Sequence, residues 1–241
     1  MNIQIIAEIG ISHGGNMELA KDMITIAKKM GADCVKFQLY EVDKLFPDKQ
    51  IIAQGKNWYE EVKKTELIYE QVARLAAYCR TIDIEFMGSC YDLERLSWLE
   101  EVGVKRHKVG SRANKDIELI KAMTATNKPI LISTNYPMDF YYPLSASDAN
   151  LFVLYCIPHY PTELSELQFD KVDFNSHYTG VSDHTRGVTA AKIALSRGCK
   201  ILEKHFCLKR DDSNPDMICS ITPEELKTLV KFAKKVEEVL L

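Results

Sequence analysis

Two histidines, His184 and His205, each follow a short apolar segment that has the pattern of a buried strand. Neighbouring strands of a sheet lie about 4.8 Å apart, so imidazoles at two adjacent strand ends can converge on one divalent cation. Neutral imidazole suits a borderline transition metal, and two such ligands leave coordination positions open for a substrate. The alternative interpretation is that one of the two histidines is a hydrogen-bonded packing residue.

Two lysines, Lys36 and Lys108, end two other strand-like segments. Lysine is rarely fully buried unless its charge is paired, so two lysines in one cleft indicate a bound anion, most naturally a doubly charged one. The alternative is that each ammonium group pairs with a nearby carboxylate, for which Glu8 is a candidate. The sequence therefore suggests an anion site beside a possible metal site.

The elements expected to position these side chains alternate regularly between strands and helices. Strand-like runs cover residues 3–8, 34–38, 84–87, 106–109, 129–133, 151–155, 178–182 and 200–204. Helical spacing covers residues 17–30, 66–80, 92–102, 116–126, 187–197 and 223–240, whereas residues 39–65 form a polar excursion and the stretch from the fifth strand to Asn150 is irregular. Strict alternation predicts a parallel sheet.

Eight strand–helix units in 241 residues predict an α/β fold of the (β/α)8 TIM-barrel type, forming a single domain over residues 1–241. A doubly wound open sheet is the main alternative, but it usually has fewer strands and a glycine-rich first turn. No G-x-G-x-x-G motif occurs in this chain.

Composition narrows the class of protein. A net charge of −3 argues against nucleic acid as the main partner. No apolar run approaches the roughly 18 residues of a membrane span, and the N-terminus lacks the basic segment of a signal peptide. The seven cysteines include no C-x-x-C pair, which indicates reduced thiols. We expect a cytoplasmic protein that acts on small molecules.

Barrel enzymes place their active sites at the carboxyl ends of the strands. The other polar residues of this chain that fall at or just after those ends are Glu8, His13, Gln38, Ser89, Ser111, Ser133, Asn135, Tyr155, Tyr160, Ser182 and Glu203. His107, which precedes Lys108 on its strand, should point away from the barrel interior because strand side chains alternate.

Four segments, in order along the chain, resemble motifs of the bacterial sialic acid synthase family. They are Ala7-Glu8-Ile9-Gly10-Ile11-Ser12-His13-Gly14-Gly15, Gly31-Ala32-Asp33-Cys34-Val35-Lys36-Phe37-Gln38, Val181-Ser182-Asp183-His184-Thr185 and Ile201-Leu202-Glu203-Lys204-His205-Phe206. The similarity covers nearly the whole chain. It implies a barrel that binds phosphoenolpyruvate and a divalent metal, usually Mn²⁺. The implied reaction condenses phosphoenolpyruvate with a sugar aldehyde, such as an N-acylhexosamine, to give a 2-keto-3-deoxy sugar acid and phosphate.

The resemblance also implies residue roles. It makes His184 and His205 the metal ligands, and it places Glu8 and Asp216 near the aldehyde and the attacking water. Lys108 and His184 join these two carboxyls in the predicted catalytic set. The predicted substrate-binding set is Lys36, Gln38, Ser89, Lys108, Ser111, Arg112, Ser133, Asn135, Tyr160 and Ser182.

The sequence departs from the family pattern in places. Gly110-Ser111-Arg112-Ala113 replaces A-S-G-E, so an acidic residue is missing at Ala113, and Ser133-Thr134-Asn135 replaces S-T-G. Pro158-His159-Tyr160 and Pro215-Asp216-Met217 also differ, and we expect the family's C-terminal antifreeze-like domain to be absent. These changes leave open a related metal-dependent lyase or aldolase, or a non-catalytic ligand-binding member. A homodimer is possible.

Overall fold

The computed structural model describes residues 2–140, 150–211 and 213–240. Its strands are β1 (Gln4–Gly10), β2 (Cys34–Leu39), β3 (Ile52–Ala53), β4 (Lys56–Asn57), β5 (Glu85–Cys90), β6 (His107–Val109), β7 (Ile130–Thr134), β8 (Leu151–Tyr155), β9 (Gly180–Asp183) and β10 (Ile201–His205). Its α-helices are α1 (Met17–Met30), α2 (Val42–Leu45), α3 (Tyr59–Lys63), α4 (Tyr69–Thr81), α5 (Leu93–Glu101), α6 (Ile117–Ala125), α7 (Thr189–Ser196) and α8 (Pro223–Leu240). Short 3₁₀ turns cover Leu164–Glu166 and Pro215–Ile218.

Eight of the strands close into a parallel barrel in the order β1-β10-β9-β8-β7-β6-β5-β2, which confirms the predicted (β/α)8 fold. Closure pairs the first strand with the last, with Glu8 opposite His205 in the register. All eight predicted strands are present. Part of the irregular stretch predicted after the fifth strand, residues 141–149, lies outside the described residues.

The helices cover the outside of the barrel through amphipathic faces. Helix α1 is typical: the Asn16 side chain accepts hydrogen bonds from the first-turn N–H groups, and Gly31 ends the helix in a left-handed conformation at φ +99°. Met23 and Ile24, on its buried face, belong to the core between helices and strands. No helix in the described part of the chain is long and apolar enough to cross a membrane.

The barrel interior is organised in layers. One buried apolar residue from each of six barrel strands contributes to an apolar layer: Ile6, Cys34, Met87, Leu131, Leu154 and Ile201. Side chains two residues apart on a strand share a face, so the next inward layer is set by the residue two positions on. In that layer the residue types change from apolar to mostly polar: Glu8, Lys36, Ser89, Ser133, Cys156 and Glu203. The candidate site therefore lies directly above this apolar layer.

The excursion between β2 and α4 is a small substructure of its own. It contains α2, the β3–β4 hairpin and α3, packed around buried side chains that include Tyr40, Trp58 and Tyr59. The sequence pattern predicted only a polar excursion here because elements of two to five residues are too short to show periodicity. The hairpin contacts the segment after β10, where the Gln54 side-chain amide donates a 3.1 Å hydrogen bond to the Pro215 carbonyl.

Candidate active site

A cavity of about 580 Å³ opens at the carboxyl ends of the barrel strands. This volume falls within the roughly 300–1,000 Å³ typical of small-molecule sites. The predicted site residues that line it are Glu8, Lys36, Gln38, Ser89, Lys108, Ser111, Arg112, Ser133, Tyr160, Ser182, His184, His205 and Asp216. The two lysines and the two histidines singled out by residue type thus share one pocket.

Asn135 is the member of the predicted set that the structure does not bring to this cavity. Strand β7 ends at Thr134, so strand alternation no longer determines where the next side chain points. Asn135 is exposed, lines a separate depression with Tyr136 and Lys171, and accepts a 2.8 Å hydrogen bond from the Tyr178 hydroxyl through its carbonyl.

A buried charge network crosses the floor of the cavity. The Lys36 ammonium lies 2.7 Å from Glu8 Oε2 and 3.8 Å from Glu203 Oε2. The Lys108 ammonium donates a 2.8 Å hydrogen bond to Ser133 Oγ and lies 3.6 Å from Glu203 Oε1, which also accepts a 2.8 Å hydrogen bond from Ser182. The expectation that Glu8 could partner a lysine agrees with this arrangement, and Glu203 connects the two ammonium groups.

Burial and charge pull the pKa values of these groups in different directions. Burial raises the pKa of Glu8 to about 7 despite the nearby Lys36. Burial alone would also raise the pKa of Glu203, but the two lysines and the Ser182 hydrogen bond hold it below its usual range. Burial lowers the pKa of Lys108, against the pull of Glu203. Glu203 is therefore the firmly ionised carboxylate of the network.

Glu203 was noted as a strand-end residue but not predicted as a site residue. The signal was present in the sequence, because Glu203 lies two positions after the inward-facing Ile201. Tyr91 and Cys156 also line the cavity without having been predicted as site residues.

His184 and His205 lie on neighbouring strands with their ring centroids 5.6 Å apart. Nδ1 of His184 lies 2.8 Å from the Ile157 carbonyl, and because a carbonyl can only accept, this nitrogen carries the proton and Nε2 keeps its lone pair. Burial lowers the pKa of His184 to about 4 and that of His205 well below its ordinary value. Both imidazoles are therefore neutral at pH 7, as metal ligation requires.

Tyr160 packs against both histidines. Its ring stacks on His184 with centroids 4.2 Å apart and meets His205 edge-on at 5.4 Å. The stack limits rotation of the His184 imidazole, so the orientation of this ring is fixed by both the Ile157 carbonyl and Tyr160.

The donor set fits a divalent cation in part. Within residues 2–140, 150–211 and 213–240 no group of three or more His, Cys, Asp and Glu side chains is arranged to hold a metal. His205 Nδ1 and Asp216 Oδ2, however, lie 3.5 Å apart, and both are buried without a hydrogen-bond partner among the described residues. Two neutral imidazoles beside an unsatisfied carboxyl suit a cation whose remaining ligands are water or substrate.

Glu8 and Asp216 approach each other around Gly10. A Cβ atom at Gly10 would lie 3.1 Å from Glu8 Oε1 and 3.3 Å from Asp216 Oδ2, and the residue adopts φ +53°, so glycine keeps this space open. Burial raises the pKa of Asp216 to about 7, as it does for Glu8. The cavity thus holds two nearby carboxyls able to exchange protons near neutral pH.

A second buried ion pair lies behind the histidines. Lys204 Nζ is 3.0 Å from Asp183 Oδ2 and donates a hydrogen bond to the Thr185 carbonyl, and both charged side chains are almost completely buried. Lys204 precedes His205, Asp183 precedes His184, and the two charged residues are partners in the β9–β10 register. The pair therefore ties together the two strand ends that carry the histidines.

A closed parallel barrel with a charged cavity at its carboxyl end, holding paired lysines beside paired neutral imidazoles, defines a (β/α)8-barrel enzyme for anionic small molecules. The family profile described as the NeuB family matches residues 23–240, and the chain belongs to this family.

Known relatives agree with this membership. An N,N'-diacetyllegionaminic acid synthase of Legionella pneumophila is 31% identical, over 100% of this chain and 74% of the relative. An N-acetylneuraminate-9-phosphate synthase of Drosophila melanogaster is 31% identical, over 95% of this chain and 66% of the relative. The crystal structure of an N-acetylneuraminic acid synthetase from Leptospira borgpetersenii superposes with a TM-score of 0.86 at 25% identity, covering 100% of this chain and 85% of that chain.

These comparisons confirm the resemblance to sialic acid synthases and the barrel fold. They also confirm the predicted enzyme class, a phosphoenolpyruvate-dependent synthase of keto-deoxy sugar acids.

Proposed function

We propose that this chain condenses phosphoenolpyruvate with an N-acylated hexosamine or a related sugar aldehyde, and that the residues lining the barrel cavity carry the reaction. The observation that supports these roles most strongly is the convergence of Lys36, Lys108, His184 and His205 on one cavity. Ammonium groups recognise the anionic substrate there, and the imidazoles lie beside the place left for the aldehyde.

Phosphoenolpyruvate binds at the floor of the cavity. Lys36 and Lys108 neutralise its carboxylate and phosphate, and the hydroxyls of Ser89, Ser133 and Ser182 hydrogen-bond to its oxygens. Ser89 and Ser133 already lie 3.3 and 2.8 Å from the two ammonium groups. A site preassembled in this way reduces the entropy lost when the reactants are brought together.

The reaction forms one carbon–carbon bond and one carbon–oxygen bond from water to carbon 2, and it breaks the carbon–oxygen bond between carbon 2 and the phosphate. Carbon 3 of phosphoenolpyruvate attacks the aldehyde carbon, and the aldehyde oxygen takes up a proton to become a hydroxyl. Water adds to carbon 2 and gives up one proton, and the bond from carbon 2 to the phosphate oxygen then breaks as the second water proton passes to the departing phosphate, which leaves a ketone and inorganic phosphate. Glu8 and Asp216 move these protons, because their pKa values of about 7 let each carboxyl accept or release one.

A divalent cation, for which we propose Mn²⁺, is held by His184 and His205. When bound, it supplies a Lewis acid for the aldehyde oxygen. The protein's own contribution is to keep both imidazoles neutral and to fix the orientation of His184 through the Ile157 carbonyl.

The predicted cytoplasmic location, single-domain organisation over residues 1–241 and homodimer stay predictions of the sequence. Sedimentation of the purified chain at several concentrations checks whether it forms a homodimer.

The experiment that tests the proposed reaction follows product formation. The protein is incubated with Mn²⁺, phosphoenolpyruvate and a panel of aldoses and N-acylhexosamines, and keto sugar acid and phosphate are both quantified. We expect the two products in equal amounts and only when a sugar is present. In a parallel incubation with a 2-keto-3-deoxy sugar acid alone, cleavage without phosphate release would indicate a lyase. Binding without turnover in either incubation would indicate a non-catalytic member.

A further inference from the structure

Arg112 occupies a different part of the cavity from the two lysines. Lys36 and Lys108 are buried at the floor, with 3% and 2% of their surface exposed, whereas Arg112 is an exposed residue of the loop after β6 that lines the same cavity. A ligand that fills the cavity therefore meets the lysines at its inner end and Arg112 at its outer end.

The charges of the two ends also differ. Glu8 and Glu203 lie within 4 Å of the lysine ammonium groups, as described above. Arg112 has no Asp or Glu within salt-bridge distance among the described residues. Among the cations that line this cavity, Arg112 is thus the one whose charge is not balanced by a described carboxylate. It is therefore available to a ligand.

The Arg112 side chain is held in place by an aromatic contact. Its guanidinium carbon lies 4.7 Å from the centroid of the Phe46 ring, within the range of a cation–π interaction. The fork of donors on a guanidinium matches the oxygens of a phosphate or a carboxylate. A guanidinium already positioned on Phe46 loses less entropy when it binds such a group.

The wall beside Arg112 is apolar. Leu45, Phe46, Ile51 and Ile52 line the outer cavity, and Ile52 leaves 65% of its surface exposed. This wall belongs to the excursion between β2 and α4, whose hairpin is tied to the segment after β10 through the Gln54–Pro215 hydrogen bond. The outer cavity thus combines one unbalanced cation with an apolar surface suited to methyl groups.

We propose that the acceptor sugar carries an anionic group, a phosphate or a carboxylate, at the end remote from its aldehyde, and that Arg112 binds this group while an N-acyl methyl contacts the apolar wall. This inference rests on the proposed function, because it assigns the outer cavity to the acceptor of that reaction. It makes Arg112 a residue that selects the acceptor, separate from the lysines that bind phosphoenolpyruvate.

The test compares acceptors that differ only at the remote carbon. N-acetylmannosamine and N-acetylglucosamine are each supplied as the neutral sugar, the 6-phosphate and the 6-carboxylate, at saturating phosphoenolpyruvate and Mn²⁺. Keto sugar acid is measured by mass spectrometry, so that phosphate on the acceptor does not interfere. We expect kcat/KM to be at least 10-fold higher for an anionic form than for its neutral parent, and the two anionic forms separate phosphate from carboxylate recognition.

Variants then assign the preference to Arg112. In Arg112→Gln, kcat/KM for the anionic acceptor should fall about 10- to 100-fold, which matches the usual contribution of a hydrogen bond to a charged group. The loss for the neutral acceptor should be smaller, so the ratio of kcat/KM between the anionic and the neutral acceptor should fall towards one. Lys115→Gln is the matched control, because Lys115 is on the same loop, pairs with Asp139 and does not line the cavity. It removes the same charge and should leave the preference intact.

Three results bear against the inference in distinguishable ways. A neutral acceptor used as well as its anionic forms would overturn it and leave the proposed function standing. An equal loss for charged and neutral acceptors in Arg112→Gln, or a raised KM for phosphoenolpyruvate, would place Arg112 with the first substrate instead and overturn it as well. No product from any acceptor in the wild-type protein would overturn the proposed function and this inference together.

Discussion

Glu203 Oε1 lies 3.6 Å from Lys108 Nζ at the floor of the cavity, where both side chains are almost fully buried. The other carboxylate oxygen of Glu203 lies 3.8 Å from Lys36 Nζ, so one carboxylate balances two ammonium groups. In the proposed function, phosphoenolpyruvate competes as an anion for the same positive charge. The proposed function therefore links substrate binding to the stability of this charge network.

Glu203→Gln should destabilise the substrate-free protein. Removing one partner of a buried ion pair costs about 3–5 kcal/mol, because the remaining charge is left uncompensated. Phosphoenolpyruvate supplies the missing negative charge, so it should raise the Tm of Glu203→Gln more than that of the wild type. Thermal unfolding with and without the substrate measures both effects.

The control for this comparison is Glu238→Gln, which removes an exposed carboxylate from α8. It should leave both the free energy of unfolding and the substrate-induced shift unchanged. A Glu203→Gln protein as stable as the wild type would show that Glu203 does not compensate the lysines.

Asp216 should make the stability of the metal-free protein depend on pH. Burial raises its pKa from the ordinary value of 3.8 to about 7 in the folded protein. The folded state therefore binds the proton more tightly than the unfolded chain, and this contribution to stability is present at low pH and is lost as pH rises through 7. Replacing the carboxyl by an amide in Asp216→Asn removes that loss.

The measurement is urea unfolding at pH 5.5 and pH 8 in the presence of a chelator. Between these two pH values the wild type should lose more stability than Asp216→Asn, by roughly 1–3 kcal/mol. The histidines become destabilising at low pH, but they do so in both proteins. Their contribution to the free energy of unfolding therefore cancels in the difference between the two proteins. Identical pH profiles for both proteins would contradict the raised pKa.

His184→Ala should abolish turnover that depends on the metal and leave the fold intact. The variant loses the imidazole whose Nδ1 proton is held by the Ile157 carbonyl, so the lone pair on Nε2 is no longer available to a cation. Mn²⁺ binding measured by calorimetry should weaken beyond detection while the circular dichroism spectrum is retained. His177→Ala, an exposed position, is the control and should bind Mn²⁺ normally. Full activity of His184→Ala would remove His184 from the metal site.

Lys204→Met should weaken metal binding indirectly, through the strand ends that carry the two histidines. It leaves Asp183 buried without its partner at 3.0 Å, at a cost of about 3–5 kcal/mol. Because the pair ties the strand ends that carry both histidines, we expect Mn²⁺ affinity to fall about 10- to 100-fold, as for other residues that orient metal ligands.

The double variant Lys204→Met with Asp183→Asn distinguishes orientation from simple destabilisation. It should recover much of the unfolding free energy, because no buried charge is left unpaired, yet its Mn²⁺ affinity should stay low. Recovery of both properties together would assign the ion pair a purely structural role.

The barrel and much of its cavity could be predicted because strand alternation links several site residues to an apolar residue two positions earlier, as Lys36 follows Cys34. Asn135 could not be placed, since β7 ends before it and the path of the following chain depends on tertiary contacts. The role of Glu203 was missed because a strand-end glutamate does not show in sequence which ammonium groups surround it. The polar excursion was predicted, but the short elements within it that form the apolar wall were missed because they are too short to leave a periodic pattern.

The proposed reaction joins phosphoenolpyruvate to a sugar with cleavage of the bond between carbon 2 and oxygen, and the residue roles depend on it. The most direct test is turnover in water enriched in ¹⁸O, with Mn²⁺, phosphoenolpyruvate and an accepted sugar, followed by mass spectrometry of the released phosphate. We expect phosphate release to require the sugar and the phosphate to contain no ¹⁸O, because water attacks carbon. Phosphate that carries one ¹⁸O atom, or that appears at the same rate without the sugar, would contradict the proposed reaction.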